Sequence, residues 1–374
     1  MKIRAAVLER MGADAPYVSS VPLVVQEVDL APPGPGEVLI KIAAAGLCHS
    51  DLSVIDGNRP RPTPMVLGHE ASGVVEDIGP NVDDIQRGDH VVIVFVPSCG
   101  HCEPCCSGRP ALCEPAVVSN TEGTLLSGAR RLSCGGTDVH HHVGVSAFAE
   151  YATVSRRSVV KIDKDMPLAE AALFGCGVLT GVGAVVNTAQ VKPGSTVAVT
   201  GLGGVGLAAL LGAVASGAER VVAVDMSESK LALAREFGAT DTFNAGDPDC
   251  VDAVRAATNG GVENSLEMVG SARALEFAYK ITRRGGTTVT AGLPHPNDMF
   301  SIPAVSLVAE ERTIKGSYIG TSVPSRDLPR YIALYQRGKL PVDRLLTHRL
   351  KLDDINLGFD RLSNGEAVRQ IIEF

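Results

Sequence analysis

The stretch that decides the fold is TVAVTGLGGVGLAALLGAVASGAERVVAVD, residues 196–225. Its first apolar run, 196–200, predicts a buried strand, 204–216 predicts a helix, and 220–225 predicts the next strand. A Gly-x-Gly-x-x-Gly loop joins the first strand to the helix, and such a loop alone is weak evidence in a chain with 40 glycines. Its place between a strand and a helix favours a dinucleotide-binding unit over an ordinary glycine turn.

Each glycine of this loop has a predicted task. Gly201 would permit the tight turn, Gly203 would let the backbone approach a pyrophosphate, and Gly206 would let helix and strand pack closely. Asp225, at the end of the second strand, would accept hydrogen bonds from the adenosine ribose. A 2′-phosphate there would face a carboxylate, so NAD is expected rather than NADP, although Lys230 would partly offset that repulsion.

The patterns of predicted strands and helices before and after the glycine loop predict two domains. Strands at 241–244, 262–268 and 287–291 alternate with helices at 227–237, 250–257 and 271–282, which predicts an α/β, doubly wound parallel sheet. Ser227 is expected to cap the first of these helices and Gly238 to end it. Upstream, β-branched runs at 38–42, 72–78 and 90–96 predict a strand-rich domain, and 97–144 is predicted to be loop-like.

Composition limits the classes of partner. The net charge of −8 argues against nucleic acid or an anionic membrane surface. The uncharged stretch 193–218 carries many Gly and Pro residues, so we interpret it as a buried strand, turn and helix, not as a membrane span. The first ten residues, MKIRAAVLER, lack the apolar run of a secretory signal. A cytoplasmic protein that binds neither nucleic acid nor a membrane is expected.

Four of the nine cysteines have the spacing of a metal site. Cys99-x-x-Cys102-x-x-Cys105, followed by Cys113, predicts a closed tetrahedral zinc site that stabilises a loop. An iron–sulfur cluster or unrelated thiols are the alternatives. Three further cysteines are expected to bind no metal: Cys106, Cys134 and Cys250.

A second set of candidate ligands is dispersed along the chain in Cys48-His49-Ser50-Asp51, Gly68-His69-Glu70 and Gly175-Cys176-Gly177. None of these is decisive alone, because a single buried Cys or His is usually structural. Taken together in order, GLCHSD, GHEASG, the four-cysteine lobe, GCGVLTG and GLGGVG closely resemble the zinc-containing alcohol dehydrogenases of the medium-chain dehydrogenase/reductase family. The resemblance extends over essentially the whole chain.

This resemblance implies a Rossmann sheet inserted in a strand-rich, GroES-like catalytic domain. The catalytic domain would comprise 1–177 and 321–374, the NAD-binding domain 178–320, and substrate would bind between them. The family pattern implies a catalytic zinc held by Cys48, His69 and Cys176, with its fourth position open to water or alcohol, in addition to the structural zinc. Asp51 and Glu70 would support the ligands, with a carboxylate orienting the imidazole.

Other matches concern the proton path, the cofactor and the substrate. Ser50 matches the first member of a proton relay, but Ser53 stands where many relatives have the terminal histidine, so the proton would leave through His49 or water. His49 also matches a pyrophosphate contact, with an exposed loop residue as the alternative. The matched cofactor residues are Gly201, Gly203, Gly204, Val205, Gly206, Thr180, Asp225, Lys230 and Arg369. The matched substrate-pocket residues are Phe95, His142 and Val143, whereas His140 and His141 are as well explained by a solvated loop.

The expected function is zinc-dependent, NAD-linked interconversion of a primary apolar or aromatic alcohol and its aldehyde. One alternative is a thiol-adduct formaldehyde dehydrogenase using glutathione or mycothiol, which needs a cationic pocket for which Arg130 and Arg131 are candidates. A cofactor-binding protein that has lost catalysis is a third possibility. The length of the segment 113–148 resembles that of dimeric relatives, so a homodimer with the strand region 301–317 at its interface is expected.

Overall fold

The computed structural model describes residues 1–95 and 97–374, so Val96, the last residue of the predicted strand 90–96, lies outside the described residues. The chain divides into two compact units. The first unit comprises Met1–Cys176, Val323–Pro329 and Val342–Phe374, and the second comprises Gly177–Ser322 and Arg330–Pro341. Each unit is built on its own sheets.

The strands are β1 Lys2–Leu8, β2 Leu23–Leu30, β3 Glu37–Gly46, β4 Met65–Val66, β5 Glu70–Ile78, β6 His90–Val94, β7 Leu132–Cys134, β8 Thr137–His141, β9 Tyr151–Ser155, β10 Val159–Ile162, β11 Thr196–Thr200, β12 Arg220–Asp225, β13 Asp241–Asn244, β14 Val262–Glu267, β15 Thr282–Thr290, β16 Thr313–Gly316, β17 Leu346–Leu350 and β18 Arg369–Glu373. The α-helices are α1 Tyr17–Ser20, α2 His49–Ile55, α3 Glu103–Cys106, α4 Glu114–Glu122, α5 Leu168–Ala172, α6 Gly177–Gly183, α7 Gly204–Ala215, α8 Glu228–Glu236, α9 Cys250–Ala257, α10 Ala272–Ile281, α11 Ala304–Ala309, α12 Pro324–Gln336 and α13 Ile355–Ser363. A π-helical segment, Ala184–Ala189, continues α6.

The first unit contains a small barrel and a larger sheet. Strands β1, β2, β7, β8 and β4 close the barrel, and the sheet has the order β10-β6-β5-β3-β18-β17, with β9 also paired to β3. The C-terminal strand β18 runs antiparallel to β3, with Ile371 opposite Gly46. This pairing brings the two ends of the sequence together, and it carries Arg369 to the strand that precedes Cys48.

The second unit is the predicted doubly wound sheet. Its strand order is β13-β12-β11-β14-β15-β16 with parallel pairing throughout. Residues 197–200 of β11 and 221–224 of β12 are buried, as expected for strands with helices on both faces of the sheet. The strand order reverses beside β11, which is where dinucleotides bind in such folds. The predicted fold class is therefore confirmed.

Several predicted elements differ from the structure for identifiable reasons. The segment 97–144 is only partly loop: α4 begins with Pro115 in its first turn and ends at Gly123, which has φ +67°. β7 and β8 form a hairpin across Gly135 and Gly136, both with positive φ. The sequence does contain signals for these features: a proline near the helix start, a glycine after its end, and a Gly-Gly turn. The overall polarity of the segment obscured them.

Three further differences are local. The region 301–317 is not all strand, because α11 starts after Pro303 and only β16 is extended. Ser227 does precede α8, but its Oγ lies 2.9 Å from Ser229 Oγ and makes no capping bond. Arg330–Pro341 groups with the second unit, where the predicted boundaries placed it in the catalytic domain. Tyr331 is buried there and lies 3.4 Å from Asn187 Nδ2.

In the described residues, no single helix is long and apolar enough to cross a membrane. One bent pair of helical segments, Leu168–Gly175 with Gly177–Ala189, is long and apolar enough for a span only when its two halves are taken together.

Candidate catalytic and metal sites

Three donor side chains from distant parts of the sequence meet in the first unit. Cys48 immediately precedes α2, His69 lies between β4 and β5, and Cys176 follows a 3₁₀ turn over Leu173–Gly175. All three are buried, and their ligand atoms, with one carboxylate oxygen of Glu70, lie within 4.8 Å of one another. Donors on one tetrahedral zinc lie about 3.5–3.8 Å apart, so small side-chain adjustments would complete the shell.

Two glycines allow the backbone segments beside these donors to approach closely. Gly68 has φ +90°, and a Cβ there would lie 2.6 Å from the backbone nitrogen of Phe148. A Cβ on Gly175 would lie 2.5 Å from the carbonyl oxygen of Ile93. Both distances are far below van der Waals contact, so larger residues would displace His69 or Cys176 from the cluster.

Asp51 orients the imidazole of His69. Nδ1 of His69 is 3.0 Å from Oδ1 of Asp51, and both side chains are almost fully buried. A proton on Nδ1 satisfies this carboxylate and leaves the Nε2 lone pair available for a metal ion. Nε2 is sealed from solvent and has no hydrogen-bond partner among the described residues, which fits a metal-ligand role for this atom.

Glu70 and Arg369 form a buried ion pair beside the donors. The space for this pair depends on Gly46, because a Cβ there would come within 2.8 Å of Glu70 Oε1 and 3.2 Å of Arg369 Nη2. Burial raises the pKa of Glu70 against the opposing effect of Arg369, and the pKa of Arg369 is raised above its ordinary value, with burial opposed by Glu70 and then Cys48. The structure thus places Arg369, predicted as a cofactor contact, against Glu70.

The donor set has the electrostatics of a cation site. A hydrogen bond with Cys176 is the largest cause holding the pKa of Cys48 well below its ordinary value, with His69 and Arg369 acting in the same direction. The same bond and burial raise the pKa of Cys176. Burial opposes a charge on His69, but Asp51 and then Cys48 hold its pKa well above the usual range. Sulfur and nitrogen donors that compete for protons in a buried space suit a divalent metal, whose binding releases those protons.

The start of α2 carries the predicted proton-relay residues. Ser50 is half-buried in the first turn, next to Cys48, and His49 is exposed. Ser53 donates its hydroxyl hydrogen to the carbonyl oxygen of His49, one turn earlier, at 2.9 Å. The residue at the expected relay-histidine position is therefore engaged with its own helix.

The three predicted pocket residues lie around or next to His69. The Phe95 ring packs edge-on against it with a centroid distance of 5.1 Å, and the His142 ring does the same at 5.6 Å. Val143 is 9% exposed and has an unusual left-handed backbone, φ +44°. Nothing in the sequence indicated that His142 also contacts Asp51, with 3.2 Å between Nδ1 and Oδ1.

The neighbouring histidines and arginines are occupied elsewhere. His141 is 1% exposed, so the solvated-loop prediction is wrong for it, because β8 turns its side chain inward. Its Nε2 accepts a hydrogen bond from the Arg131 backbone N–H, and burial, Arg130 and Arg131 lower its pKa to about 3. Arg131 Nε donates to Glu37 at 2.8 Å, and Arg130 Nε donates to His140 at 3.2 Å.

The four predicted ligands of the second metal site also converge. The sulfurs of Cys99, Cys102, Cys105 and Cys113 lie within 4.8 Å of one another. Backbone N–H groups point at these sulfurs, with Cys99 N donating to Cys113 Sγ at 3.1 Å and Cys102 N donating to Cys99 Sγ at 3.2 Å. Such N–H···S bonds stabilise thiolates, so the cluster suits zinc. Cys106, expected to bind no metal, is exposed.

The glycine loop of the second unit has the predicted geometry. Gly201 adopts φ +90°, and a Cβ on Gly206 would lie 1.8 Å from the Gly201 carbonyl oxygen. A Cβ on Gly203 would meet no described atom within 4 Å, so its surroundings are open to an approaching ligand. Asp225 accepts hydrogen bonds from the backbone N–H groups of Leu202, at 2.7 Å, and Ser227, at 2.9 Å.

The remaining cofactor candidates lie in the same unit. Gly204 and Val205 open α7, whose N-terminus faces the glycine loop and favours a phosphate. Thr180 is buried in α6, and Lys230 is half-buried in α8. Their contacts with a cofactor stay predictions.

One buried Cys₂His set, one Cys₄ set and a dinucleotide loop define a zinc-dependent nicotinamide oxidoreductase. Residues 34–164 match the family described as the alcohol dehydrogenase GroES-like domain, and residues 204–337 match the zinc-binding dehydrogenase family. Alcohol dehydrogenase 1 of Pisum sativum is 38% identical over 100% of this chain and 97% of its own length.

Two solved structures agree over all of this chain and 99% of theirs. A zinc-binding domain alcohol dehydrogenase protein from Burkholderia ambifaria is 37% identical with a TM-score of 0.94. The benzyl alcohol dehydrogenase from Acinetobacter calcoaceticus is 36% identical with a TM-score of 0.93. The chain belongs to the zinc-containing alcohol dehydrogenases of the medium-chain dehydrogenase/reductase family. It is an NAD-dependent enzyme with one catalytic and one structural zinc ion per chain.

Proposed function

We propose that the enzyme oxidises primary alcohols with an apolar or aromatic body to aldehydes and catalyses the reverse reduction. The observation that carries this proposal is the buried cluster of Cys48, His69 and Cys176, with the Phe95 ring against His69. An aromatic wall beside the metal donors favours a substrate with a planar or apolar body. The benzyl alcohol dehydrogenase, similar over its whole length, acts on an alcohol of this kind.

The site residues take the following roles in this proposal. Cys48, His69 and Cys176 hold the catalytic zinc, and Cys99, Cys102, Cys105 and Cys113 hold the structural one. Bound zinc would supply the Lewis acidity that makes an alcohol hydroxyl acidic near neutral pH, and NAD would be the hydride acceptor. Asp51 holds the His69 tautomer, and Glu70 with Arg369 neutralises charge beside Cys48.

Ser50 is proposed to relay the proton of the alcohol hydroxyl, accepting it at Oγ while its own hydroxyl proton passes to water or His49, because its side chain lies in the turn that follows Cys48. Ser53 has no imidazole to continue the relay, and its hydroxyl hydrogen already goes to the His49 carbonyl. The proton therefore leaves through His49, which is exposed, or through water.

The alternative, a thiol-adduct formaldehyde dehydrogenase, requires cations for the carboxylates of the thiol. The two candidates named from the sequence are already engaged, Arg131 with Glu37 and Arg130 with His140 and the Glu122 carbonyl. These contacts favour the oxidation of a free alcohol over that of a thiol adduct of formaldehyde.

A direct assay separates the two functions. Purified enzyme with NAD is expected to produce NADH from benzyl alcohol without any thiol, with a higher kcat/KM than for ethanol. Formaldehyde, with and without glutathione or mycothiol, is the comparison. Thiol-dependent formaldehyde oxidation with a kcat/KM above that for benzyl alcohol would overturn the proposal.

The NAD preference is assigned to Asp225. Its carboxylate would lie close to a 2′-phosphate, and like charges in contact cost several kcal/mol. Asp225→Gly is expected to raise the NADP to NAD ratio of kcat/KM by about 10- to 100-fold, equivalent to about 1.4–2.7 kcal/mol. Steady-state kinetics with both cofactors would measure it.

Two variants control this result. Asp225→Asn keeps an acceptor oxygen for the Leu202 N–H while removing the charge, so it should shift the ratio in the same direction. Asp249→Asn, on an exposed turn of the same unit, should leave the ratio unchanged. An unchanged ratio in Asp225→Gly would contradict the assignment.

A homodimer through the edge of the second unit's sheet is also proposed. β16 is the edge strand, and the exposed apolar side chains near it in sequence are Met299, Val305 and Val308. An unpaired strand edge beside apolar surface is a common pairing site. The dimer and the cytoplasmic location stay predictions.

A further inference from the structure

His142, predicted above to line the substrate pocket, is a buried histidine that the metal binding and proton path described above do not use. It is 3% exposed, and its ring meets that of His69 edge-on at 5.6 Å. Its Nδ1 lies 3.2 Å from Asp51 Oδ1. Burying an imidazole costs free energy unless it has a polar partner, and the Asp51 carboxylate is such a partner.

Three groups converge on one oxygen of Asp51. Besides His142, His69 Nδ1 lies 3.0 Å from Oδ1, and the Gly68 backbone N–H donates to it at 3.1 Å. Oδ2 is buried and has no hydrogen-bond partner among residues 1–95 and 97–374. All three contacts of this carboxylate therefore involve Oδ1. Losing one of them would leave the carboxylate less firmly oriented.

The backbone after His142 is shaped to aim its side chain. Val143 has φ +44°, a conformation that costs a β-branched residue roughly 1–3 kcal/mol. The turn is held by hydrogen bonds at both ends: His142 N donates to Ser146 Oγ, and Val145 N donates to the His142 carbonyl, each at 2.9 Å. This strained turn directs the ring inward at the end of β8.

We propose that His142 is a positioning residue for the catalytic zinc: its Nδ1 lies 3.2 Å from Asp51 Oδ1, and a small rotation of the ring would let Nδ1–H donate to that oxygen and fix the carboxylate that sets the orientation of His69. This inference rests on the catalytic zinc assignment to Cys48, His69 and Cys176. Without His142 the carboxylate can rotate to present Oδ2, and His69 then presents Nε2 less constantly to the metal. Zinc retention is the property that depends most directly on this orientation.

The test compares His142→Phe, His142→Asn and His142→Gln in the full-length, zinc-loaded enzyme. An asparagine amide nitrogen can occupy the position of Nδ1, whereas that of glutamine corresponds to Nε2. Zinc release to a chromophoric chelator is followed over time, and the cobalt-substituted proteins are compared by absorption spectroscopy. His140→Phe is the matched control, since His140 bonds to Arg130 instead.

His142→Phe is expected to release one of its two zinc ions about 10- to 100-fold faster, the usual range for loss of a partner of a metal ligand. Its cobalt–thiolate bands should shift, and kcat should fall more than KM changes. His142→Asn should restore release to within a few-fold of the parent, and His142→Gln should resemble His142→Phe. His140→Phe should match the parent protein.

Different results would overturn the proposal. Parent-like zinc release and cobalt spectra in His142→Phe, with only KM altered, would make His142 a pocket wall. Equal loss in the asparagine and glutamine variants would show a packing effect, and this pair still decides the matter if His142→Phe does not fold. An enzyme with no alcohol-dependent NAD reduction but the expected release series would refute the proposed function and not the role of His142.

Discussion

Replacing Cys176 with serine is expected to lower alcohol-dependent NAD reduction by roughly 10³-fold or more while the protein stays folded. A hydroxyl is a much weaker zinc ligand than a thiolate, and Cys48 and His69 alone would hold the ion poorly. Metal binding acidifies a hydroxyl by several pKa units. Losing three or four of these units, at about 1.4 kcal/mol each, lowers the rate by roughly 10³- to 10⁴-fold.

The measurements are NADH formation, zinc content and the melting temperature. Zinc should fall from two ions per chain to one, and the secondary structure seen by circular dichroism should not change. Cys250→Ser is a suitable control, since Cys250 is buried in α9 of the second unit. Unfolding of Cys176→Ser at room temperature, or activity close to that of the parent, would contradict the division between catalytic and structural metals.

Replacing Cys113 with serine is expected to have its main effect on stability. Cys113 is fully buried and its sulfur accepts the Cys99 N–H, so it is central to the four-cysteine cluster. Structural zinc contributes about 10–16 kcal/mol to the folding of small zinc domains at neutral pH. If about a third of this acts on the first unit, at about 2–4 °C per kcal/mol for a unit of that size, its melting temperature falls by roughly 6–20 °C.

Differential scanning calorimetry and zinc analysis would test this prediction. Cys106→Ser is the matched control, because Cys106 lies in the same lobe but is exposed. The control should keep two zinc ions and the parent melting temperature. A Cys113→Ser protein with two zinc ions and unchanged stability would show that Cys113 is not a zinc ligand.

Local sequence signals were sufficient for the central strands and the glycine loop of the second unit. The strands 196–200 and 220–225 and the glycine loop between them appear where predicted, because buried parallel strands and a phosphate loop impose strong local patterns. The region 301–317 shows the limit of such patterns. Its apolar residues suit a strand or a helix equally, and Pro303 decided the outcome by starting α11.

The sequence by itself determined the class of enzyme, since ligand identities, their order and the glycine loop are properties of residue types at given spacings. Tertiary structure alone decided which groups surround those ligands. Arg369 meets Glu70 because β18 pairs with β3, and His142 meets Asp51 because a strained turn follows β8. Contacts between residues far apart in the chain depend on strand pairing and turn geometry, which no local spacing encodes.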